Sequence, residues 1–400
     1  MLRPVKIAAL AALWLVPILI FAAAFSYGWM PVWRSAGVPA MLPRFADLTT
    51  IPSGVQALRK GLDPLVSNPT DPLQRTVNYP RLWLYAFSGL GVTVQSVWAI
   101  ALPFVALYLL CISVLIVRAK HWGDAVILLI AGLSVSPLLA MERGNSDLLV
   151  FALIFLGCAA SNQYVKSLSM AAASLLKIFP MAAMAADAVR RPLKQRVVAI
   201  ALMVVVLALF AWQWRDLNLI RLGTPISRVR SFGFLSLQQE IYRLLPESLF
   251  YSLQLGWIVA GAFFFAVILT IDLAWKSGLS LDPEVVSSPA AEMFAVFGGT
   301  YAFTYAIVSN WDYRLILLLP TLPLALELAR RARYRSWAAA YIALVVVAEN
   351  GLALETRGGT LLVHVSSFAL FIFVLAALTV QFKRSVAVEF AAEPAAVLSR

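Results

Sequence analysis

The chain has 400 residues, 62% of them hydrophobic and 13% charged, with a formal net charge of +12. That balance excludes an ordinary soluble domain, and windows of about 20 apolar residues, long enough to cross a bilayer, recur throughout. The positive charge is no sign of nucleic-acid binding, because most clustered Lys and Arg flank apolar runs, as the positive-inside rule requires.

Residues 5–25 form the first span, with Arg3 and Lys6 holding the N-terminus inside. No clean small-residue cleavage site follows, so the segment reads as a signal anchor. The polar stretch 26–93 comes next as a first extracytoplasmic loop. It carries three carboxylates, Asp47, Asp63 and Asp71, and six basic residues fall between Arg34 and Arg81. A polar, Pro-rich loop of that length is more than a linker. Its end, 82–93, is expected to be a helix lying at the interface.

Spans are then expected at 95–117, 124–140 and 148–160, with Arg118, Lys120 and His121 marking a cytoplasmic turn. The stretch from Ser167 to Ala188 has positive flanks on both sides, Lys166 before it and Arg190, Arg191, Lys194 and Arg196 after it. A single crossing should not show that pattern. Two half-helices meeting at Lys177-Ile178-Phe179-Pro180 would leave both ends inside, so a re-entrant pair is expected. Span 197–214 leads to a second extracytoplasmic loop, 215–250, in which 234–244 is amphipathic at helical spacing and reads as a surface helix. Spans at 251–274, 292–308, 315–329, 337–354 and 361–382 complete the membrane part, and Lys383-Arg384 leave the C-terminus inside. The sum is an all-α polytopic membrane protein of about ten crossings plus one re-entrant pair. It forms one integral membrane domain, 1–384, and an Ala-rich cytoplasmic tail, 385–400, expected to be disordered.

Cys111 and Cys158 lie inside apolar runs, so neither a disulfide nor thiol chemistry is expected. His121 and His364 are far apart with no ligand-like spacing, and no metal or cofactor is expected. The polar clusters that remain gather toward one side of the membrane. They are Asp47, the run Glu142-Arg143-Gly144-Asn145-Ser146-Asp147, the arginines of the second loop, and Asn310-Trp311-Asp312. Each has two readings. Asp47 either caps a short helix or, beside a membrane mouth, takes a proton from an incoming hydroxyl. Glu142 and Arg143 are either an interfacial ion pair or part of a cavity, and Asn145 or Ser146 either caps the next helix or serves that cavity. Asn310-Trp311-Asp312-Tyr313-Arg314 is either an aromatic-belt turn or a wall of the site. Lys177, an ammonium midway along an apolar stretch, needs an anionic partner.

Several short runs resemble glycosyltransferase family 87. In the first loop these are Asp47-Leu48, Gly61-Leu62-Asp63-Pro64 and Asn78-Tyr79-Pro80; in the middle, Glu142 through Asp147 and Leu176-Lys177-Ile178-Phe179-Pro180. Leu235-Ser236-Leu237 with Tyr242-Arg243-Leu244-Leu245, and Ser309 through Tyr313, look like its weaker landmarks. The resemblance runs over roughly residues 1–380 and implies a GT-C type enzyme. Such an enzyme moves a hexose or pentose from a polyprenyl-phosphate carrier to a lipid- or glycan-linked acceptor at the extracytoplasmic face of a bacterial inner membrane. The carboxylate of the first loop is the family's catalytic base, and Asp47 stands at the matching place. A second acidic residue beside it, common in GT-C relatives, is absent, which puts a metal-dependent mechanism in question; Asn310 also stands where a proline is common.

Under that resemblance Lys177, Arg143, Arg228 and Arg230 are the expected donor-phosphate ligands, since such a leaving group calls for positive charge. Asp63, Tyr79, Glu142, Asn145, Asp147, Trp311 and Asp312 are expected to hold substrate or acceptor. No Rossmann fingerprint or phosphate-cradling glycine loop is present, which argues against a cytosolic nucleotide-sugar site. A transporter or flippase for lipids or lipid-linked sugars would equally explain a broken helix and a midplane lysine. The chain shows no two-fold internal symmetry, however, and so large a first loop is atypical of such a carrier. A non-catalytic assembly partner is the third alternative.

Overall fold

The computed structural model describes residues 2–224, 230–244, 253–307, 310–354 and 357–397, which are predominantly helical. The first half contains α1 (Leu2–Tyr27), α2 (Trp29–Ser35), α3 (Ala46–Arg59), α4 (Arg81–Gly89), α5 (Trp98–Arg118) and α6 (Trp122–Gly132). It continues with α7 (Val135–Arg143), α8 (Asp147–Ala159), α9 (Gln163–Leu176), α10 (Met181–Val189), α11 (Leu193–Trp212) and α12 (Trp214–Gly223). After β1 (Ser231–Phe232) come α13 (Phe234–Leu244), α14 (Leu253–Lys276), α15 (Pro283–Val286) and α16 (Pro289–Ile307). β2 (Asn310–Trp311) leads through a 3-10 stretch (Asp312–Thr321) into α17 (Leu322–Ala329), α18 (Arg335–Asn350) and α19 (Arg357–Val397).

The buried residues of α1, namely Ala9, Leu13, Pro17, Phe21 and Ala24, fall on one face at helical spacing. Its other face exposes Ile7, Leu15, Ile18 and Leu19. An apolar stripe of that extent is the surface a helix shows to lipid. Among the described residues, α1, α5 and α11 and the apolar stretches of α14 and α19 are long and apolar enough to cross a membrane. The chain is therefore an all-α polytopic membrane protein. At its centre α16 buries Phe294, Phe297, Tyr301 and Tyr305 and packs against α8, α10, α19 and the 3-10 stretch.

Four expected spans depart from a continuous α-helix. Residues 124–140 divide into α6 and α7, bent by 44° at Leu133-Ser134. α8 has 13 residues, roughly 20 Å at 1.5 Å per residue and short of a hydrocarbon layer of about 30 Å. The expected 315–329 span starts as a ten-residue 3-10 stretch, because Pro320 and Pro323 supply no N–H and disturb the α-helical ladder around them. The 337–354 span gives way to a 3-10 turn at Gly351. By length and composition, five helices among the described residues, or six with the bent pair counted as one span, are long and apolar enough to cross a membrane on their own.

The break at Lys177–Pro180 is present. Lys177 is extended (φ −149°, ψ 145°) and ends α9, and α10 starts at Met181. Pro180 cannot donate, and its ring would clash with the Leu176 carbonyl in a straight helix, which favours the break here. Helices also occur at α4 and α13, where the pattern places them. The tail differs from expectation: α19 continues through it to Val397, consistent with its Ala- and Glu-rich composition.

Candidate active site

The first loop is tied down onto the end of α7. Trp29 Nε1 and the Met41 amide donate to Glu142 Oε1 at 2.8 and 3.0 Å, and Arg143 donates to the Pro39 carbonyl at 3.0 Å and to the Met41 sulfur. Glu142 Oε2 lies 2.7 Å from Arg143 Nε, and Glu142 is fully buried. A buried carboxylate needs such partners. Glu142 and Arg143 are therefore occupied in anchoring the loop.

α7 ends in Gly144, whose φ of +58° is the left-handed cap that turns the chain sharply into α8. A Cβ there would meet Phe45 Cβ at 3.0 Å and Ala101 Cβ at 3.1 Å, so the close approach of the first loop also requires glycine. The turn presents Asn145 in two directions. Its Oδ1 accepts from the Asp147 amide two residues on at 2.8 Å, while its Nδ2 donates to Asp47 Oδ2 at 2.7 Å; the N-cap of α8 is Ser146, which makes no side-chain cap bond.

Asp47 does not cap its own helix. The residue preceding α3 is Phe45, in the left-handed region (φ 54°), with no side-chain cap. Asp47 sits in the first turn instead, where the helix dipole favours an anion. Its Oδ1 faces Arg75 at 3.7 Å. Arg75 is fixed by Asp71 (Nε to Oδ2, 3.0 Å) and by the Ala46 carbonyl (2.6 Å). Burial works against the Arg75 guanidinium, but its bonds to Asp71 outweigh that and hold its pKa above the ordinary value.

A cavity of ≈ 330 Å³ opens over Asp47, lined also by Thr50, Arg75, Thr76, Asn78, Tyr79, Leu222, Gly223, Trp311 and Tyr313. Burial first, then the Asp47 carboxylate, push the Tyr79 phenol up, so it stays a neutral donor. Beneath Tyr79, 5.3 Å from its ring, lies the Lys177 ammonium. It donates to Asp147 Oδ1 at 2.5 Å and to Asn145 Oδ1 at 3.4 Å. Arg314 Nε reaches Asp147 Oδ2 at 3.0 Å, and its NH1 reaches Asn310 Oδ1 at 2.5 Å. A polar chain thus runs from Asp47 through Asn145, Lys177, Asp147 and Arg314 to Asn310.

The last segment is held by a pairing absent from the sequence pattern. β1 of the second loop pairs antiparallel with β2, Ser231 opposite Trp311 and Phe232 opposite Asn310. Asp312 N donates to the Arg230 carbonyl at 3.1 Å, which brings the two loops together. The Asp312 carboxylate is 1% exposed and accepts no hydrogen bond among the described residues.

Of the expected site residues, Asp47, Tyr79 and Trp311 line the cavity. Asn145, Asp147 and Lys177 form the layer joined to it through Asn145. Asp63 is exposed and bonded to Arg81 (2.9 Å), and Arg230 and Asp312 lie beside the β1–β2 pair. Arg228 falls outside the described residues. Arg75 and Arg314 were missed as site residues. Arg75 follows a carboxylate four residues away, Asp71, and Arg314 closes the Asn310 motif, so both looked like local partners.

No protein-family model matches this sequence, and none of the curated proteins matches it. Among solved structures the chain is similar to ArnT from Cupriavidus metallidurans in the apo state, with a TM-score of 0.35 and 14% identity, over 91% of this chain and 76% of that one. The likeness to family 87 rests on the short motifs alone.

Proposed function

We propose that the chain is a membrane glycosyltransferase of GT-C type. It moves a mannose-like or arabinofuranose-like sugar from a polyprenyl-phosphate donor to a lipid- or glycan-linked acceptor, on the extracytoplasmic side of a bacterial inner membrane. The observation that carries this reading is the position of Asp47. Of the carboxylates near the first loop, Asp47, Asp63, Asp71 and Glu142, Asp47 lines the cavity, whereas Asp71 and Glu142 are buried against partners and Asp63 is on the surface.

In this mechanism Asp47 takes the proton of an acceptor hydroxyl as its oxygen attacks the anomeric carbon. The bond from that carbon to the carrier phosphate breaks, its electron pair leaves on the phosphate oxygen, and the anomeric configuration inverts. Departing charge meets Arg75 in the cavity wall. Behind Tyr79, Lys177 and Arg314 share the single Asp147 carboxylate and leave one net positive charge. The family motifs support the same donor class, with the half-helix pair at Lys177–Pro180 re-entering from inside.

The test uses purified protein in detergent with polyprenyl-phosphate mannose or polyprenyl-phosphate arabinofuranose and no ion gradient. Acceptor-dependent release of polyprenyl phosphate is expected. Failure to consume any such donor, together with lipid movement across proteoliposomes, would assign the chain to the transporters instead.

A further inference from the structure

A second cavity, of ≈ 410 Å³, lies where α14, α17, α18 and α19 meet, far along α14 and α19 from the loops over Asp47. Its wall is almost wholly apolar and includes Leu273, Leu324, Trp337, Ile372 and Ala376, with Arg333 at its polar edge. The volume falls within the range of about 300–1,000 Å³ typical of small-molecule sites. Half-exposed Trp275 and partly buried Trp337 stand beside it, at the level where aromatic side chains mark a membrane–water boundary.

The charges at this end separate it from its neighbour. A smaller cavity of ≈ 220 Å³ between α5, α6 and α17 is lined by Arg118, Lys120 and Arg330, and two carboxylates offset that charge: Arg330 bonds Asp124 at 2.8 Å, and Lys120 faces Glu327 at 3.5 Å. Arg333 lines the larger cavity and donates to the Gly278 carbonyl at 3.0 Å, and Lys383, close to the lining residues Gln381 and Ser277, donates to the Trp275 and Ser277 carbonyls at 2.5 and 3.3 Å. Neither has a carboxylate partner among the described residues. Each therefore retains its full positive charge at the mouth of an apolar cleft.

We infer that this cleft is a binding site for an anionic phospholipid, one acyl chain between α14, α17 and α19 and the phosphate on Arg333 and Lys383. Apolar wall, interfacial tryptophans and two uncompensated cations match the three zones of such a lipid in depth order. With Lys276, Arg330, Arg331, Arg335 and Arg384 at the same end, the positive-inside rule assigns the mouth to the cytoplasmic leaflet. The lipid wedges the C-terminal helix against α14 from the side opposite the transfer site.

Native mass spectrometry of the full chain, titrated with dioleoyl-phosphatidylglycerol or dioleoyl-phosphatidylcholine, tests this. Wild type should retain phosphatidylglycerol preferentially. Replacing both cations (Arg333→Ala with Lys383→Ala) should weaken phosphatidylglycerol binding by about 10- to 30-fold and erase the preference. The charge-keeping pair Arg333→Lys with Lys383→Arg should preserve it, which separates charge from misfolding. Ala376→Phe, which fills the cleft, should weaken both lipids. Equal retention of the two lipids by wild type would overturn the site, as would an unchanged preference in the double-alanine variant or unaltered binding in Ala376→Phe.

Discussion

Lys177 Nζ lies 2.5 Å from Asp147 Oδ1, and the same carboxylate takes Arg314 on its other oxygen at 3.0 Å. The two cations come from two interruptions of regular helix, the Lys177–Pro180 break and the start of the 3-10 stretch. An anion for the Lys177 ammonium is thus supplied by the protein itself, and a carrier phosphate would meet the surplus charge of a triad rather than a lone ammonium.

That arrangement fixes an order of effects. Lys177→Met leaves Asp147 with Arg314, so it should cost less than the 3–5 kcal/mol of a fully broken buried pair, about 1–3 kcal/mol. Asp147→Asn leaves two cations facing each other and should cost more. Thermal unfolding of the purified variants in detergent reads the order directly, and its reversal would remove Asp147 as the shared partner. Lys177→Met should also weaken donor binding, because the triad's surplus positive charge disappears with it.

Asp47→Asn should keep the fold, since a carboxamide oxygen still accepts from Asn145 and at most ~1 kcal/mol of helix-dipole stabilisation is lost. Turnover should fall by about 10²–10⁴-fold with donor binding retained. Acceptor-dependent release of polyprenyl phosphate is the assay. Near-normal turnover would leave the proposed mechanism without a base in its cavity.

Gly144→Ala tests the hinge that delivers Asn145 to Asp47. The left-handed backbone alone costs about 1 kcal/mol for alanine, and the new methyl would press on Phe45 and Ala101. Phe45 leads directly into α3, so the loss should appear both as a lower melting temperature and as a larger fall in turnover than stability explains. Wild-type turnover in a destabilised variant would separate the hinge from the site.

Much of this was legible because the strongest signals are local. Pro180 falls at the break between α9 and α10, and the amphipathic period of 234–244 survives as α13. The bend between α6 and α7 was not legible, since about 20 apolar residues read alike whether they form one straight helix or a bent pair. For Lys177 the sequence left a carrier phosphate, Asp147 and Asp187 all open as partners, and it gave no sign of the Ala46 carbonyl as a partner of Arg75. Asp147 lies 30 residues from Lys177 in sequence, and Ala46, whose carbonyl binds Arg75, lies 29 away. Such pairs are set by tertiary contact, and no spacing rule announces them.

Sidedness is predicted from the basic turns. Reporter fusions after Ser67 and after Lys383 should give opposite sidedness, with Lys383 inside. Equal sidedness would part the Asp47 cavity from the extracytoplasmic face and put both cavities on one side.

Arg81 offers a test of how the cavity is closed. Its Nε bonds Asp216 at 2.7 Å and its NH2 bonds Asp63 at 2.9 Å, so it ties α12 to the first loop, and Leu222 and Gly223 at the end of α12 form part of the cavity wall. These pairs are partly exposed, and Arg81→Ala should therefore change stability by no more than ~1 kcal/mol. It should instead raise KM, because the wall loses its tether, while kcat changes little. Partial burial tends to raise the Asp63 pKa, but the Arg81 bond outweighs it and holds the carboxyl below its ordinary value of 3.8. A depressed carboxyl contributes while ionised, so the tether is fully present above pH ~4 and fades as pH falls through the lowered value. The melting curves of wild type and Arg81→Ala, recorded from pH 7 downward, should accordingly differ at neutral pH and converge under acid. A difference that stays constant below pH ~3 would show that Arg81 does not act through its carboxylate partners.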